Sequence, residues 1–180
     1  RTRDYVAAAL EVRNAAAANP PDSADIVFED FESGNFDRWT ATGNAFTGGP
    51  RTQSTVGSYQ GDIGAQGRFF VNSHNTTKKG KETRSDRFTG TLTSPEFTIT
   101  KPFIRFLIGG GGHQGKTCIN LLINGKAVSS QAGPNHNRMR PAQFSVGKYI
   151  GKQAQIQAVD EMRGGWGNVG LDHIVFSDDG

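Results

Sequence analysis

The chain has 180 residues, 24 of them glycine and 12 phenylalanine, and a net charge of +3. That length suffices for one domain with a core, the glycines lack a collagen-like period, and the apolar content is too high for disorder. Lys and Arg are spread along the chain, and their one local run, Lys78 to Arg87, is interleaved with Glu82 and Asp86, so nothing marks a nucleic-acid-binding stripe. No run approaches the roughly 18 apolar residues of a membrane span.

Taken in order, residues 1–18 (RTRDYVAAALEVRNAAAA) predict the one helix. Ala, Leu, Glu and Arg dominate it, and all favour helix. Tyr5, Ala8, Ala9 and Val12 form a thin apolar stripe, and Pro20 and Pro21 end it. The chain starts with Arg, so it is expected to come from a longer protein. Residues 1–22 read as the end of an upstream domain with its linker, and residues 23–180 as one β module.

After Pro21 the apolar period becomes two. Asp25 to Phe31 (DIVFEDF) predicts an opening strand, and Ser33-Gly34-Asn35 a turn. Phe36 to Thr42 and Arg68 to Ser73 read as short strands on either side of a loop-rich stretch, Gly43 to Gly67. Phe88 to Thr100 reads as two strand pieces broken at Ser94-Pro95, an edge or bulge position. Phe103 to Ile108 is a strand ending in four glycines and His113. Lys116 to Ile123 and Lys126 to Ser130 flank Asn124-Gly125, the strongest short hairpin signal. Gln131 to Pro141 reads as an irregular polar loop. Gln143 to Val146, Gln153 to Val159 and Val169 to Phe176 are the last strands. About ten short strands between turn signals predict an all-β sandwich of the jelly-roll kind. The last strand is expected to pair with the first.

The chemistry-bearing residues point to binding rather than catalysis. There is no GxSxG elbow. Cys118, the one cysteine, sits within a predicted strand as a buried, inert thiol. A lone cysteine allows no internal disulfide, no thiolate metal cluster and no CxxCH haem attachment. The four histidines lack zinc-motif spacing. Glu29, Asp30 and Glu32 on the opening strand, with Asp172 on the closing strand, would converge if those strands are neighbours. Such a set, with loop carbonyls, suits a structural Ca²⁺.

Trp166 stands in a GGWG loop, with Asp160, Glu161, Arg163 and Asn168 around it. An exposed indole with polar forks suits a sugar: the ring face stacks and the hydroxyls bond. His113, after its four glycines, is expected on the same rim. Asn135 to Arg140 supplies a third polar loop, including Arg140. Strand parity also places Arg105 and Asn120 away from the core, as a second candidate polar face.

The segments FEDFESGNFDRW, GTLTSPEFTI, FLIGGGGHQGKTCINLLINGK and GGWGNVGLDHIVFSD resemble a recurring jelly-roll module. It is found beside levanase-type family 32 glycoside hydrolase domains and within planctomycete multidomain proteins carrying cytochrome c-like domains. The resemblance spans Asp25 to Asp178, and more loosely extends to galactose-binding and MAM-type jelly rolls. It implies a structural calcium between first and last strands, at Glu29, Asp30 or Glu32 and at Asp172. Many relatives carry His where this chain has Asn168.

The expectation is a non-catalytic carbohydrate-binding module of an exported multidomain protein, periplasmic or at the cell surface. Its partner would be a fructan or other plant or algal polysaccharide, held by Trp166, His113, Asp160, Arg163, Asn168 and Arg140. Neighbouring domains of the parent chain would be covalently linked. The alternative is a structural or protein-interaction domain that positions neighbouring catalytic or cytochrome domains.

Overall fold

The computed structural model describes residues 24–74 and 85–180. The helix expected over residues 1–18 and most of the charged run after His74 lie outside the described residues. Eleven strands are present among those described. In order they are β1 (Ile26–Glu29), β2 (Thr40–Gly43), β3 (Val71–Asn72), β4 (Gly90–Thr93), β5 (Phe97–Thr98) and β6 (Phe103–Gly110). β7 (Thr117–Ile123), β8 (Lys126–Ala132), β9 (His136–Ser145), β10 (Gln153–Asp160) and β11 (Val169–Ser177) complete the set.

They form two antiparallel sheets, a β-sandwich jelly roll. One runs β1-β11-β6-β9, with β3 also on β11. The other runs β2-β4-β10-β7-β8, with β5 also on β10. The first and last strands pair as expected, Ile26 opposite Phe176 and Val27 opposite Val175. β11 is therefore internal to its sheet, flanked by β6 along its other edge. That explains its composition: eight of its nine residues are buried, as a strand covered on both sides requires.

The core lies between the sheets. Ile104, Phe106 and Ile108 of β6 face Ile119 and Leu121 of β7, joined by Leu92, Ile156, Leu171 and Ile174. Phe28, Phe97 and Phe176 form a ring cluster at one end, with centroids 4.8 to 5.0 Å apart. Asn124 and Gly125 both take positive φ, 51° and 70°, the geometry of the primed hairpin turn that Asn-Gly favours.

Three local expectations change. The strand expected over Phe36 to Thr42 begins only at Thr40, because Phe36 and Trp39 close a turn through the Trp39 amide on the Phe36 carbonyl, 2.8 Å. The strand expected over Arg68 to Ser73 shortens to Val71–Asn72. Gln131 to Pro141 is not an irregular loop: β8 runs on to Ala132, and His136–Ser145 forms the longest strand. Pro141 disguised it. A proline has no amide to donate, and β9 tolerates one because it is the edge of its sheet.

A second, smaller core forms outside the sandwich. The segment between β2 and β3 crosses the outer face of the first sheet and seats Ile63 and Phe70 on Met139, with Leu107 packed beside them. Gln53 braces this segment, donating to the Gly61 carbonyl at 2.8 Å and accepting from the Ile63 amide at 3.0 Å.

Candidate carbohydrate site at one end of the sandwich

Three β-connections meet at the end of the sandwich where β6, β8 and β10 finish. The β10–β11 loop, Glu161 to Asn168, carries Trp166, which is 40% exposed. Trp166 holds a left-handed backbone, φ 61°, a conformation that costs a bulky residue energy and needs support. The support is a series of main-chain bonds. The Gly164 amide donates to the Asp86 carbonyl (2.8 Å), the Gly167 amide to the Gly164 carbonyl (2.8 Å), and the Gly111 amide to the Asn168 carbonyl (2.8 Å). His113 completes it, its Nε2 lying 3.1 Å from the Gly165 carbonyl oxygen. A carbonyl only accepts, so this nitrogen carries the proton.

The β6–β7 loop is fixed in turn. The Gly112 amide donates to Asn135 Oδ1 at 2.6 Å, and the His113 amide to Thr117 Oγ1 at 3.1 Å. The glycine run thus lets three loops approach. A Cβ on Gly111 would collide with the Trp166 carbonyl, and one on Gly133 would stand 2.7 Å from the Gly111 carbonyl oxygen. Gly109 and Gly110 belong to strand β6 itself, so the run is strand end as much as loop.

The expected sugar ligands divide here. Trp166, His113 and Arg163 lie on the accessible rim. Asp160 does not: it is fully buried, and so is Asn168, at 4% exposure. Neither side chain reaches a solvent-borne sugar directly, because Asp160 ends the strand that lies between β4 and β7. Arg140 is exposed on edge strand β9 opposite Ile108, four residues along from His136.

Asp160 is buried beside the Ser73 hydroxyl and opposite Thr117 across β10 and β7. Gln60, Asn72, Ser73, Thr117 and Asn168 are also buried. Ser73 Oγ accepts from the Val169 amide at 2.8 Å, and Asn72 donates to Gln60 at 2.9 Å. Both carboxylate oxygens of Asp160 lack a hydrogen bond of proper geometry. Burial pushes its carboxyl up to about 7; the adjacent Ser73 hydroxyl and Met162 amide favour ionisation, and Asp86 opposes it.

Beside this group stands a relay that no local motif announced. The hydroxyl of Tyr59, a residue 58% exposed, bonds His74 Nε2, and His74 Nδ1 meets Asp86 Oδ1 at 2.6 Å. Asp86 is also the residue whose carbonyl holds the Trp166 loop. These residues are distant in sequence and meet only through β3 and the turn before β4.

The four carboxylates expected to bind metal each accept N–H bonds. Glu29 accepts from the Phe31 amide (2.8 Å) and the Trp39 indole (2.9 Å). Asp30 accepts from the Glu32 amide. Glu32 holds the Arg68 and Phe69 amides, each at 2.8 Å. Asp172, fully buried at a bulge in β11, accepts from the Gln66 amide (2.7 Å) and the His173 amide (2.8 Å). Glu32 and Asp172 thus fasten the covering segment to the sheet. Burial, with Glu32 and Asp30 nearby, pushes the Asp172 carboxyl up to about 7. Among the described residues, no three His, Cys, Asp or Glu side chains form a metal cluster. Replacing Glu32 by Ala is expected to cost about 1–2 kcal/mol and to raise hydrogen exchange at the Arg68 and Phe69 amides, with the core strands unchanged.

Arg105 and Asn120 do not share a face. β6 and β7 belong to different sheets, so the two residues look out on opposite sides. Arg105 pairs with Asp25 and, with Gln143, His173, Leu107, Pro141 and Val175, lines a shallow pocket of about 390 Å³. Asn120 belongs to an in-register row across the other sheet, Thr40, Thr93, Gln157, Asn120 and Ser130. Cys118 is buried, and burial pushes its thiol up, as an inert structural thiol requires.

No family model matches the chain. A protein of Aspergillus rugulosus named as a glycosyl hydrolase, ecdE, is 32% identical over 155 residues, 84% of this chain. The chain spans only 21% of that relative's length. Among solved structures, TmCBM61 in complex with β-1,4-galactotriose superposes with a TM-score of 0.53 at 17% identity, covering 82% of this chain and 94% of the other. The K2 cleaved adhesin domain of Lys-gingipain gives 0.51 at 16% identity, covering 86% and 99%. At such identities the superpositions establish a shared sandwich fold.

Proposed function

We propose that the chain is a non-catalytic carbohydrate-binding module of a larger exported protein. The observation that carries this reading is Trp166: a half-exposed indole held in a left-handed conformation by hydrogen bonds from three connections. A structure that fixes a costly aromatic at the surface is using it. A rigid indole offers a stacking face at low entropic cost, and Arg163 and the free edge of His113 offer hydroxyl partners. The relative named as a glycosyl hydrolase and the fold shared with a galactotriose-binding module support the same reading. A fructan or another plant or algal polysaccharide is the proposed ligand class, with avidity through the parent chain.

Trp166→Ala is expected to weaken polysaccharide binding by about 10–100-fold while the melting temperature moves little. Calorimetry against fructans, galactans and uronic polysaccharides checks it. Equal affinity of wild type and variant for every ligand bound would remove Trp166 from the site.

We include a structural calcium beside Asp172 in the proposal, supported by the crowding of Asp30 and Glu32 around that carboxyl. A melting temperature unmoved by excess chelator would argue against it. The alternative reading, a domain that positions its neighbours, draws on β1, where Ile26 and Val27 are 46% and 52% exposed on a sheet edge. An exposed apolar edge strand is a ready pairing surface.

A further inference from the structure

Tyr59 is a second exposed ring, fastened at the same end of the sandwich as Trp166. Resting on the carbohydrate reading of Trp166, we propose that Tyr59 stacks a further sugar unit of the same glycan, so that the site takes an extended chain rather than a single terminal sugar.

The ring has a built seat. Tyr59 lies in a single 3₁₀ turn, Ser58–Gln60, and is 58% exposed. Its ring lies against Gly57, where a Cβ would stand 2.2 Å from it. Gly57 has φ −61°, which any residue adopts, so the closeness of the ring is what calls for glycine there. The hydroxyl is held at the other end. His74 Nδ1 meets Asp86 Oδ1 at 2.6 Å. A carboxylate only accepts, so Nδ1 carries the proton, and Nε2 accepts from the Tyr59 hydroxyl. The His74 ring also meets Tyr59 edge-on, with centroids 5.6 Å apart. Fixing an exposed side chain costs rotamer entropy, and a ring already fixed spares its ligand that cost.

The seat belongs to the Trp166 end. Ser73 is bonded to Val169 twice, its amide donating to the Val169 carbonyl at 3.0 Å and its hydroxyl accepting from the Val169 amide at 2.8 Å. His74 therefore leaves the sheet where the Trp166 loop enters it. Asp86 fastens both rings: its side chain takes His74, and its carbonyl takes the Gly164 amide, two residues before Trp166. The bridge from one ring to the other runs through two side chains, so the rings serve different sugar units. Each unit would lay an apolar C–H face on its ring and keep its hydroxyls for Arg163, His113 and water. A polymer fills two such platforms and a monosaccharide does not.

Two platforms make affinity depend on chain length. The experiment measures Kd by calorimetry for galacto-, fructo- and galacturono-oligosaccharides of graded length, from the monosaccharide upward, with wild type, Tyr59→Ala, Gly57→Ala and Trp166→Ala. In a series that binds, wild-type affinity should rise with length until both rings are covered. Tyr59→Ala should weaken the longest members by about 5–30-fold and the monosaccharide by less than about 2-fold. Gly57→Ala, which displaces the ring and removes no atom, should reproduce that pattern, whereas Trp166→Ala should weaken every length. A Tyr59→Ala loss that is equal at all lengths, or absent at all, overturns the proposal and leaves Trp166 as a single platform. Binding of no oligosaccharide by wild type removes the carbohydrate reading, and the second platform with it. In wild type the Tyr59 ring protons should shift with the longest bound member and stay in place with the monosaccharide, so the answer stands if a variant fails to fold. Ring signals unmoved by a bound long chain overturn the proposal equally.

Discussion

Replacing Phe176 by Ala is expected to lower stability by about 3–5 kcal/mol. Phe176 is 6% exposed and contacts Phe28 and Phe97, with ring centroids at 5.0 and 4.8 Å. Those three rings come from β1, β5 and β11, so one truncation opens a cavity where the two sheets meet. β1 is held to β11 by this packing and by three residue pairs, so it should be the first strand to detach. For a chain of this size the loss corresponds to a melting shift of roughly 6–20 °C. Phe176→Leu, which keeps most of the volume, should lose about half as much or less. Thermal or urea denaturation measures both. Equal stability of wild type and Phe176→Ala would mean that this end of the sandwich is not packed as described.

The second large effect is a stability that falls as pH rises, measured with chelator present. Burial pushes the carboxyls of Asp160 and Asp172 up to about 7 in the folded chain, against about 3.9 in an unfolded one. Between those values the folded state holds protons that the unfolded state has lost. The contribution is therefore full below about pH 4 and is lost as pH passes through about 7. It amounts to roughly 4 kcal/mol for each carboxyl. Asp160→Asn removes the proton without removing the volume. Its stability relative to wild type should rise steadily from pH 4 to pH 8. Asp172→Asn is a poorer control, because Asp172 accepts an amide on each oxygen and Asn can accept on only one. A wild-type minus Asp160→Asn difference that is flat with pH would show that Asp160 is charged and compensated throughout.

The sandwich was legible because its strands alternate and its turns carry Asn-Gly, Ser-Gly and Ser-Pro. β11 was recognisable from its alternation directly after a glycine-rich loop, and its pairing with β1 follows from a jelly roll's closure. β9 was not legible. His136 to Pro141 alternates only weakly, because an edge strand half covered by the segment before β3 buries Met139 and exposes Arg138 and Arg140.

The site was half legible. Trp166 flanked by glycines announced an exposed aromatic, and His113 proved to be its neighbour. Asp160 read as a sugar ligand only because polarity near a loop looks accessible; burial depends on β4 and β7, which no local pattern reveals. Glu29, Glu32 and Asp172 were expected to converge, yet the partners they hold are N–H groups of Phe31, Trp39, Gln66, Arg68, Phe69 and His173. Tyr59, His74 and Asp86 were invisible, since contacts between residues 15 and 12 apart leave no period.

The most direct test of the carbohydrate reading follows the two indole N–H signals of the ¹⁵N-labelled chain during polysaccharide titration. Trp39 is the internal reference, buried and bonded to Glu29. On addition of a bound glycan, the Trp166 indole and the amides of His113 and Arg163 should shift saturably, while the Trp39 indole stays in place. A panel of fructans, galactans and uronic polysaccharides that moves none of these signals would contradict the account, as would one whose shifts gather at Arg105, Gln143 and His173.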